Sequence, residues 1–516
     1  MGIADAMTRI GPLLLVIGHL FYASAGAQES APAAADSLEA LQQRISTLIA
    51  QPRYASAMWG VKVISLDTKK ILFEYNPQKL FSPASNSKLY TMALTLDRLG
   101  PDYRIRTSLY ARAQPNRRGV LDGDLIVFGR GDPTINTRLH TNIYQALEPL
   151  VSALTNAGVK RIRGDLIGDD SSFRGPPYGS GWDWGDLQNY YGAEVSALTI
   201  NDNTLQVLVK PGDHLGQPCQ VSVVPPTAYL AISNRTFTVL KGAKRAIHFY
   251  RPIAENVLYL TGEMAIDDAG STEDATVHNP AGLFAGFFQE ALARRGIEVA
   301  GHVRTMNWLD RADQPLDLKE WVELGSMKSP LFREILPEVL KPSQNLYTDL
   351  LLAHVGTMTT NAPSSRRGAE ETTEDLGVMA LREFLAEAKL PSGQTFMEEG
   401  SGLSRNNLTS PNATVALLEF MSRHKYSDLF INSLPVAGVD GTLRRRMKGT
   451  SAEGKVRAKT GTLGWANSLS GYVTTAAGEH LAFSIMLNRF ENSDPNRPKT
   501  TDIDAIAVML AAYSGK

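Results

Sequence analysis

Cysteine is almost absent from this chain. Among 516 residues there is one, Cys219. No internal disulfide can form, and zinc-finger, iron–sulfur and cysteine-rich secreted designs are excluded. The nine histidines are scattered, without the His-Glu-x-x-His spacing of a metallopeptidase. Charge of one sign is not in excess either. Lys+Arg number 52 against 53 Asp+Glu, a net charge of -1, which rules out a strongly basic nucleic-acid binder and leaves no nucleic-acid partner expected. The chain has no Gly-x-Ser-x-Gly elbow, so a Ser-His-Asp hydrolase is poorly supported. No stretch reaches the roughly 18 uninterrupted apolar residues of a membrane-spanning helix.

What is present begins with an export grammar. Arg9 precedes an apolar run from Ile10 to Tyr22, followed by Ala23-Ser24-Ala25-Gly26-Ala27-Gln28. Small residues at Ala25 and Ala27 predict a signal peptide over 1–27, cleavage before Gln28, and a mature protein exported to a periplasm. Length and an apolar content of 43% suit two or three domains. Helical spacing is read over 38–50, and strands over 59–64 and 71–75 joined by a turn. A helix is read over 85–99. From about 104 to 304 the texture turns to short alternating segments rich in Gly and Asp. Two of these segments, Leu121–Val127 and Ile162–Gly168, resemble each other, either as a duplication or as two similar turns. An aromatic segment over 173–192 reads as a binding platform or as packing against a neighbouring domain. Helices are read again over 343–356, 373–388, 411–424 and 501–513, and strands over 465–474 and 480–489. Strands near both ends of the chain predict one sheet built from both, interrupted by an insertion. The division expected is 28–97 and 305–516 for one domain. An inserted region occupies 98–304, two β-rich domains with the inner one near 185–265.

Three short motifs carry chemistry. Ser85-Asn86-Ser87-Lys88 places a hydroxyl and an amine on one face of a helix start. A serine needs a neighbour to take its proton, and a partly buried lysine can do so when neutral. Ser343-Gln344-Asn345 offers a hydroxyl and an amide for a proton relay and a carbonyl anchor, or a helix cap. Lys459-Thr460-Gly461-Thr462, expected just before a strand, offers a cation and two hydroxyls for a carboxylate. Gly461 would allow close approach of a substrate lying along the strand. Each motif alone is weak; their order is not.

The chain resembles the D-alanyl-D-alanine carboxypeptidase/endopeptidase family, the low-molecular-mass class C penicillin-binding proteins of peptidase family S13. The resemblance extends to Pro83–Leu89, Gly129–Thr134, Gly164–Leu166, Glu399–Arg405 and Leu434–Leu443. Two positions depart from it: Gln344 and Glu399 stand where the family usually has Asp. The resemblance implies a multidomain α/β fold. Its transpeptidase domain is an antiparallel sheet with helices on both faces, like the serine β-lactamases, interrupted by large β-rich insertions. It implies Ser85 as nucleophile, Lys88 as general base, Ser343 and Lys459 as the return path for the proton, and Asn345 as an orienting group. Thr460, Gly461 and Thr462 would bind substrate, with the N–H groups of Ser85 and Thr462 as oxyanion hole. It implies peptidoglycan stem peptides ending in D-Ala-D-Ala, or D-Ala cross-links, as substrates and β-lactams as covalent inhibitors. No metal or organic cofactor is needed, and a homodimer is compatible with it. The competing readings are a β-lactamase or esterase on the same scaffold and a non-catalytic wall-binding protein.

Overall fold

Near the C-terminus two strands read as almost continuous apolar runs. Ala466–Thr474 and His480–Asn488 are buried on both faces along nearly their whole length, the pattern of strands covered from both sides. In the computed structural model, which describes residues 36–359, 371–492, 494 and 496–515, they are central strands of a five-stranded antiparallel sheet. Its order is Val456–Leu463, Ala466–Thr474, His480–Asn488, Met58–Ser65, Ile71–Tyr75. Both ends of the chain therefore build one sheet. The expected leader over 1–27 lies outside the described residues. Among those described, no helix is long and apolar enough to cross a membrane.

One face of the sheet is covered by helices Leu38–Ile49 and Thr501–Ala512. Leu41, Ile45, Ile503, Ile506 and Leu510 pack there with Val61, Val63, Leu469, Phe483 and Ile485. The other face carries a helical block that includes Ser87–Leu99, Asn345–Thr359, Thr373–Glu387 and Pro411–Ser422. Leu89, Met92, Leu417 and Met421 meet Ile64, Tyr472 and Ala482. Burying a side chain of this kind stabilises by about 1.5–3 kcal/mol, so the two helical layers fix where the edge strand Val456–Leu463 sits against the start of Ser87–Leu99.

The inserted region has a core of its own. Its outer sheet runs Val303–Met306, Leu166–Asp169, Leu125–Phe128, Arg106–Ala111, Val322–Lys328, with helices Ile143–Asn156 and Pro280–Arg294 packed into the same core. Two three-stranded sheets between Thr204 and Thr276 form the inner part. The boundary expected at 304 is too early. Val322–Lys328 pairs antiparallel with Arg106–Ala111, and an irregularity in register between Glu323 and Gly325 breaks the alternation that would have marked it as a strand. The two similar Gly-Asp segments lie side by side in parallel register, Leu125 opposite Leu166 and Leu121 opposite Ile162. A third unit, Glu298–Val299 followed by Val303–Met306, continues the stack.

Candidate active site

The first motif occupies a tight turn. Ala84 adopts a left-handed φ of 49°. A single 3-10 turn over Ala84–Asn86 then feeds helix Ser87–Leu99. Ser468 Oγ donates to the Pro83 carbonyl at 2.6 Å, pinning this turn to the sheet. Ser85 sits at the turn's surface, lining a cavity of 490 Å³. Lys88, one turn on, is fully buried beneath it. Lys88 Nζ donates to Ser85 Oγ at 3.0 Å, to Asn345 Oδ1 at 2.6 Å and to the Ser401 carbonyl at 2.6 Å. All three partners are uncharged.

The second motif follows helix Phe332–Leu340. Ser343 has a left-handed φ of 66°. Its hydroxyl accepts from Lys459 Nζ at 2.6 Å, so it serves a lysine, while Asn345 opens the next helix. Asn345 Nδ2 donates to the Tyr191 carbonyl at 2.9 Å. Gln344 is buried and does not line the cavity; its Oε1 has no partner among the described residues.

The third motif lies inside the edge strand Val456–Leu463 and not ahead of a strand as the sequence reading had it. An edge strand leaves alternate backbone N–H groups unpaired within the sheet, and here that edge borders the cavity. Thr460 and Thr462 line the cavity, and Thr460 Oγ1 donates to Thr442 Oγ1 at 2.8 Å. Lys459 is fully buried below them. Gly461 is a correction: it does not line the cavity, and its bare Cα faces the nucleophile turn. A Cβ there would overlap the Pro83 carbonyl and Ser468 Oγ. Glycine is required there because strand and turn approach each other.

Burial sets the electrostatics. Lys88 is lowered to about 8 by desolvation, opposed by the negative charge of Asp349 and Glu399. Lys459 is held well below the ordinary lysine range by burial, then by the neighbouring cations Lys88 and Arg446. Two lysines under one cavity floor are thus both biased toward the neutral amine, the state in which an amine can take a proton from a serine. Burial, with Glu399 and Glu374 adding to it, pushes Asp349 well above the usual carboxylate range.

Several lining groups carried no sequence signal, because they come from loops without periodicity. Thr442 lines the cavity beside Thr460. Asn86, inside the first motif, is buried beside the third: its Nδ2 donates to Ser468 Oγ and lies against Gly461. The aromatic segment packs against the active-site unit and also reaches the cavity. Tyr190 and Tyr191 line the cavity, whereas Trp182 packs inward with Nε1 directed at Glu399 Oε2, 3.4 Å away. Arg405 bridges to Asp183 at 3.2 Å and donates to the Gly464 carbonyl, and it also lines the cavity near Asp186. Asp440 is scaffold, accepting from Lys341 Nζ and the Val436 N–H. A larger cavity of 560 Å³ lies between the inserted region, its 173–180 segment included, and helices Asn345–Thr359 and Thr373–Glu387, with none of the motif serines or lysines in its lining. Chemistry, not volume, identifies the site.

Comparisons with known proteins place nearly the whole chain in one family. The family model described as D-Ala-D-Ala carboxypeptidase 3 (S13) family matches residues 41–513. The chain is 33% identical over 502 residues to the D-alanyl-D-alanine carboxypeptidase of an Actinomadura species, covering 94% of this chain and 88% of that protein. It is 25% identical over 433 residues to the D-alanyl-D-alanine carboxypeptidase DacB of Haemophilus influenzae, covering 83% and 85%. Among solved structures it is similar to penicillin binding protein 4 of Haemophilus influenzae. The TM-score is 0.76 at 25% identity, over 90% of this chain and 97% of that one.

Proposed function

The chain belongs to the D-Ala-D-Ala carboxypeptidase 3 (S13) family and is a serine hydrolase of the penicillin-binding-protein fold; from that premise we propose that it cleaves D-alanyl bonds of peptidoglycan stem peptides through an acyl-enzyme on Ser85. The observation that carries this reading is the contact of Lys88 Nζ with Ser85 Oγ at 3.0 Å, made by a lysine whose other partners are neutral.

Lys88, as the free amine, takes the hydroxyl proton while Ser85 Oγ bonds to the carbonyl carbon of the terminal D-Ala-D-Ala link. The N–H groups of Ser85 and Thr462 stabilise the oxyanion. When the C–N bond breaks, the proton that Lys88 took passes to the departing amine by way of the Ser343 hydroxyl, which Lys459 Nζ holds at 2.6 Å; Lys88 is again the free amine. Thr460 and Thr462 hold the substrate's terminal carboxylate, and Asn345 orients the acylated peptide. Water then hydrolyses the ester, regenerating Ser85. A β-lactam acylates the same oxygen because its strained amide resembles the dipeptide. Export to a periplasm is part of this proposal, resting on the N-terminal grammar of the sequence. Asp186 and Arg405 in the cavity lining present one charge of each sign, which suits a stem residue bearing both an ammonium and a carboxylate.

The test is D-alanine release from peptides ending in Lys-D-Ala-D-Ala and in the diaminopimelate counterpart, comparing wild type with Ser85→Ala. Release that vanishes in the variant is the expected outcome. If neither these peptides nor cross-linked muropeptides are cleaved, and penicillin leaves Ser85 unmodified, the proposal is wrong. Rapid turnover of the penicillin adduct would instead favour a β-lactamase.

A further inference from the structure

Behind Lys88 lies a loop whose shape is set by one buried carboxylate. Glu399 is fully buried. Its Oε2 accepts from the Ser401 N–H at 2.8 Å and from Ser401 Oγ. Its Oε1 accepts from the Gly402 N–H at 2.7 Å and from Asn407 Nδ2 at 2.7 Å. Every close polar neighbour of this side chain therefore donates to it, and the pattern needs an acceptor at both oxygens. The turn so formed does two things. It aims the Ser401 carbonyl at Lys88 Nζ, 2.6 Å away. It also brings Gly402, at a left-handed φ of 87°, so close to the nucleophile turn that a Cβ would overlap the Ala84 carbonyl.

We propose that Glu399 is a positioning residue for acylation: its carboxylate shapes the Gly400–Gly402 turn so that the Ser401 carbonyl holds Lys88 Nζ against Ser85 Oγ. The inference rests on the reading of Ser85 and Lys88 above. Its charge has a second consequence. The charged groups that act on Lys88 are Asp349 on helix Asn345–Thr359 and Glu399 on this loop, while Lys88 in turn acts as a cation on Lys459 of the edge strand. Asp349 Oδ1 accepts from the Gly400 N–H at 3.1 Å, so both acids stand on the loop side of Lys88. A fixed anion there favours the ammonium, so removing it makes Lys88 a base at lower pH. Asp349, which feels Glu399 as a repelling charge, ionises more readily when Glu399 is neutralised and returns part of that shift.

The experiment is the rate of covalent labelling by a fluorescent penicillin across pH. Wild type, Glu399→Gln, Glu399→Asp and Ser401→Ala are compared, with rates expressed per folded molecule from melting curves taken in parallel. Glutamine turns an amide nitrogen toward donors, and a misplacement of about 1 Å costs on the order of a hundredfold. A loss of at least about tenfold is therefore expected, with the acid limb moved to lower pH. Aspartate keeps the charge, recovers most of the rate and leaves the limb where it was. That three-part pattern supports the assignment, and any other pattern overturns it. If Glu399→Gln does not fold, Ser401→Ala decides. It keeps the carbonyl but loses the hydroxyl that ties it to Glu399, and an undiminished rate overturns the assignment. If wild type itself is not labelled on Ser85, the reading of the site fails together with this inference. Labelling of wild type with an unaffected Glu399→Gln sinks this inference alone.

Discussion

Burial lowers the proton affinity of both Lys88 and Lys459 from the ordinary lysine range. Neither has a carboxylate partner within ion-pairing distance among the described residues, since their hydrogen bonds go to hydroxyls, an amide oxygen and backbone carbonyls. With Lys88 lowered to about 8, only about a tenth of it is the free amine one pH unit below that. The penicillin labelling rate of wild type should therefore climb nearly tenfold per pH unit below about 8 and level off above it. A flat profile between pH 6 and 9 would remove Lys88 as base. Lys88→Arg keeps a cation that cannot give up its proton, and should cut labelling by about 10²–10⁴-fold with Ser85 in place. At this scale the sequence was most legible. The residues of the three motifs meet through Ser85–Lys88, Lys88–Asn345 and Ser343–Lys459 contacts. Thr442, Ser401 and the carboxylate of Glu399 were not assigned roles, because a backbone carbonyl or a loop hydroxyl has no residue-type signature until the loop is folded.

Between the first and third motifs the elements touch almost backbone to backbone. Gly461 faces the Pro83 carbonyl and Ser468 Oγ, and Ser468 Oγ in turn holds that carbonyl at 2.6 Å. Gly461→Ala must therefore push the edge strand away from the nucleophile turn. The expected result is a labelling rate lower by at least about tenfold and a lower melting temperature, since backbone has to move. Gly478→Ala is a turn control without a neighbour within 4 Å of the added Cβ. It carries only the penalty of its own left-handed φ of 83°, about 1 kcal/mol, and should label at the wild-type rate. Periodicity identified the helices well: the expected 373–388, 411–424 and 501–513 segments appear as Thr373–Glu387, Pro411–Ser422 and Thr501–Ala512. It failed where side-chain pattern does not follow the ladder. Val456–Leu463 reads as a motif before it reads as a strand, because its residues are chosen for the cavity. Val322–Lys328 hides behind its irregular register.

The division of the chain into separately packed cores has a consequence for the whole molecule. Among the described residues, the core of the inserted region draws on those between Leu109 and Met327, and the sheet core beneath Leu38–Ile49 and Thr501–Ala512 on those up to Phe73 and from Ala437 onward. The helical block completes the active-site unit. A chain that leaves its sheet and returns to it can lose one core while keeping the other, so unfolding need not be all-or-none. Leu510 is fully buried in the sheet core, on the face away from Ser87–Leu99. Leu510→Ala should cost about 2–5 kcal/mol through the removed methylenes and the cavity left behind. That loss should fall on the transition in which penicillin labelling disappears. A second transition, reported by tryptophans of the inserted region such as Trp184, Trp308 and Trp321, should stay where it is. Below both transitions the labelling rate per folded molecule should equal wild type, because Leu510 belongs to the core on the opposite side of the sheet from helix Ser87–Leu99. Denaturant titration followed in parallel by labelling and by fluorescence measures all three quantities. A single transition that moves as one would mean that the contacts between inserted region and site, Asn345 to Tyr191 and Arg405 to Asp183 among them, weld the two cores into one cooperative unit.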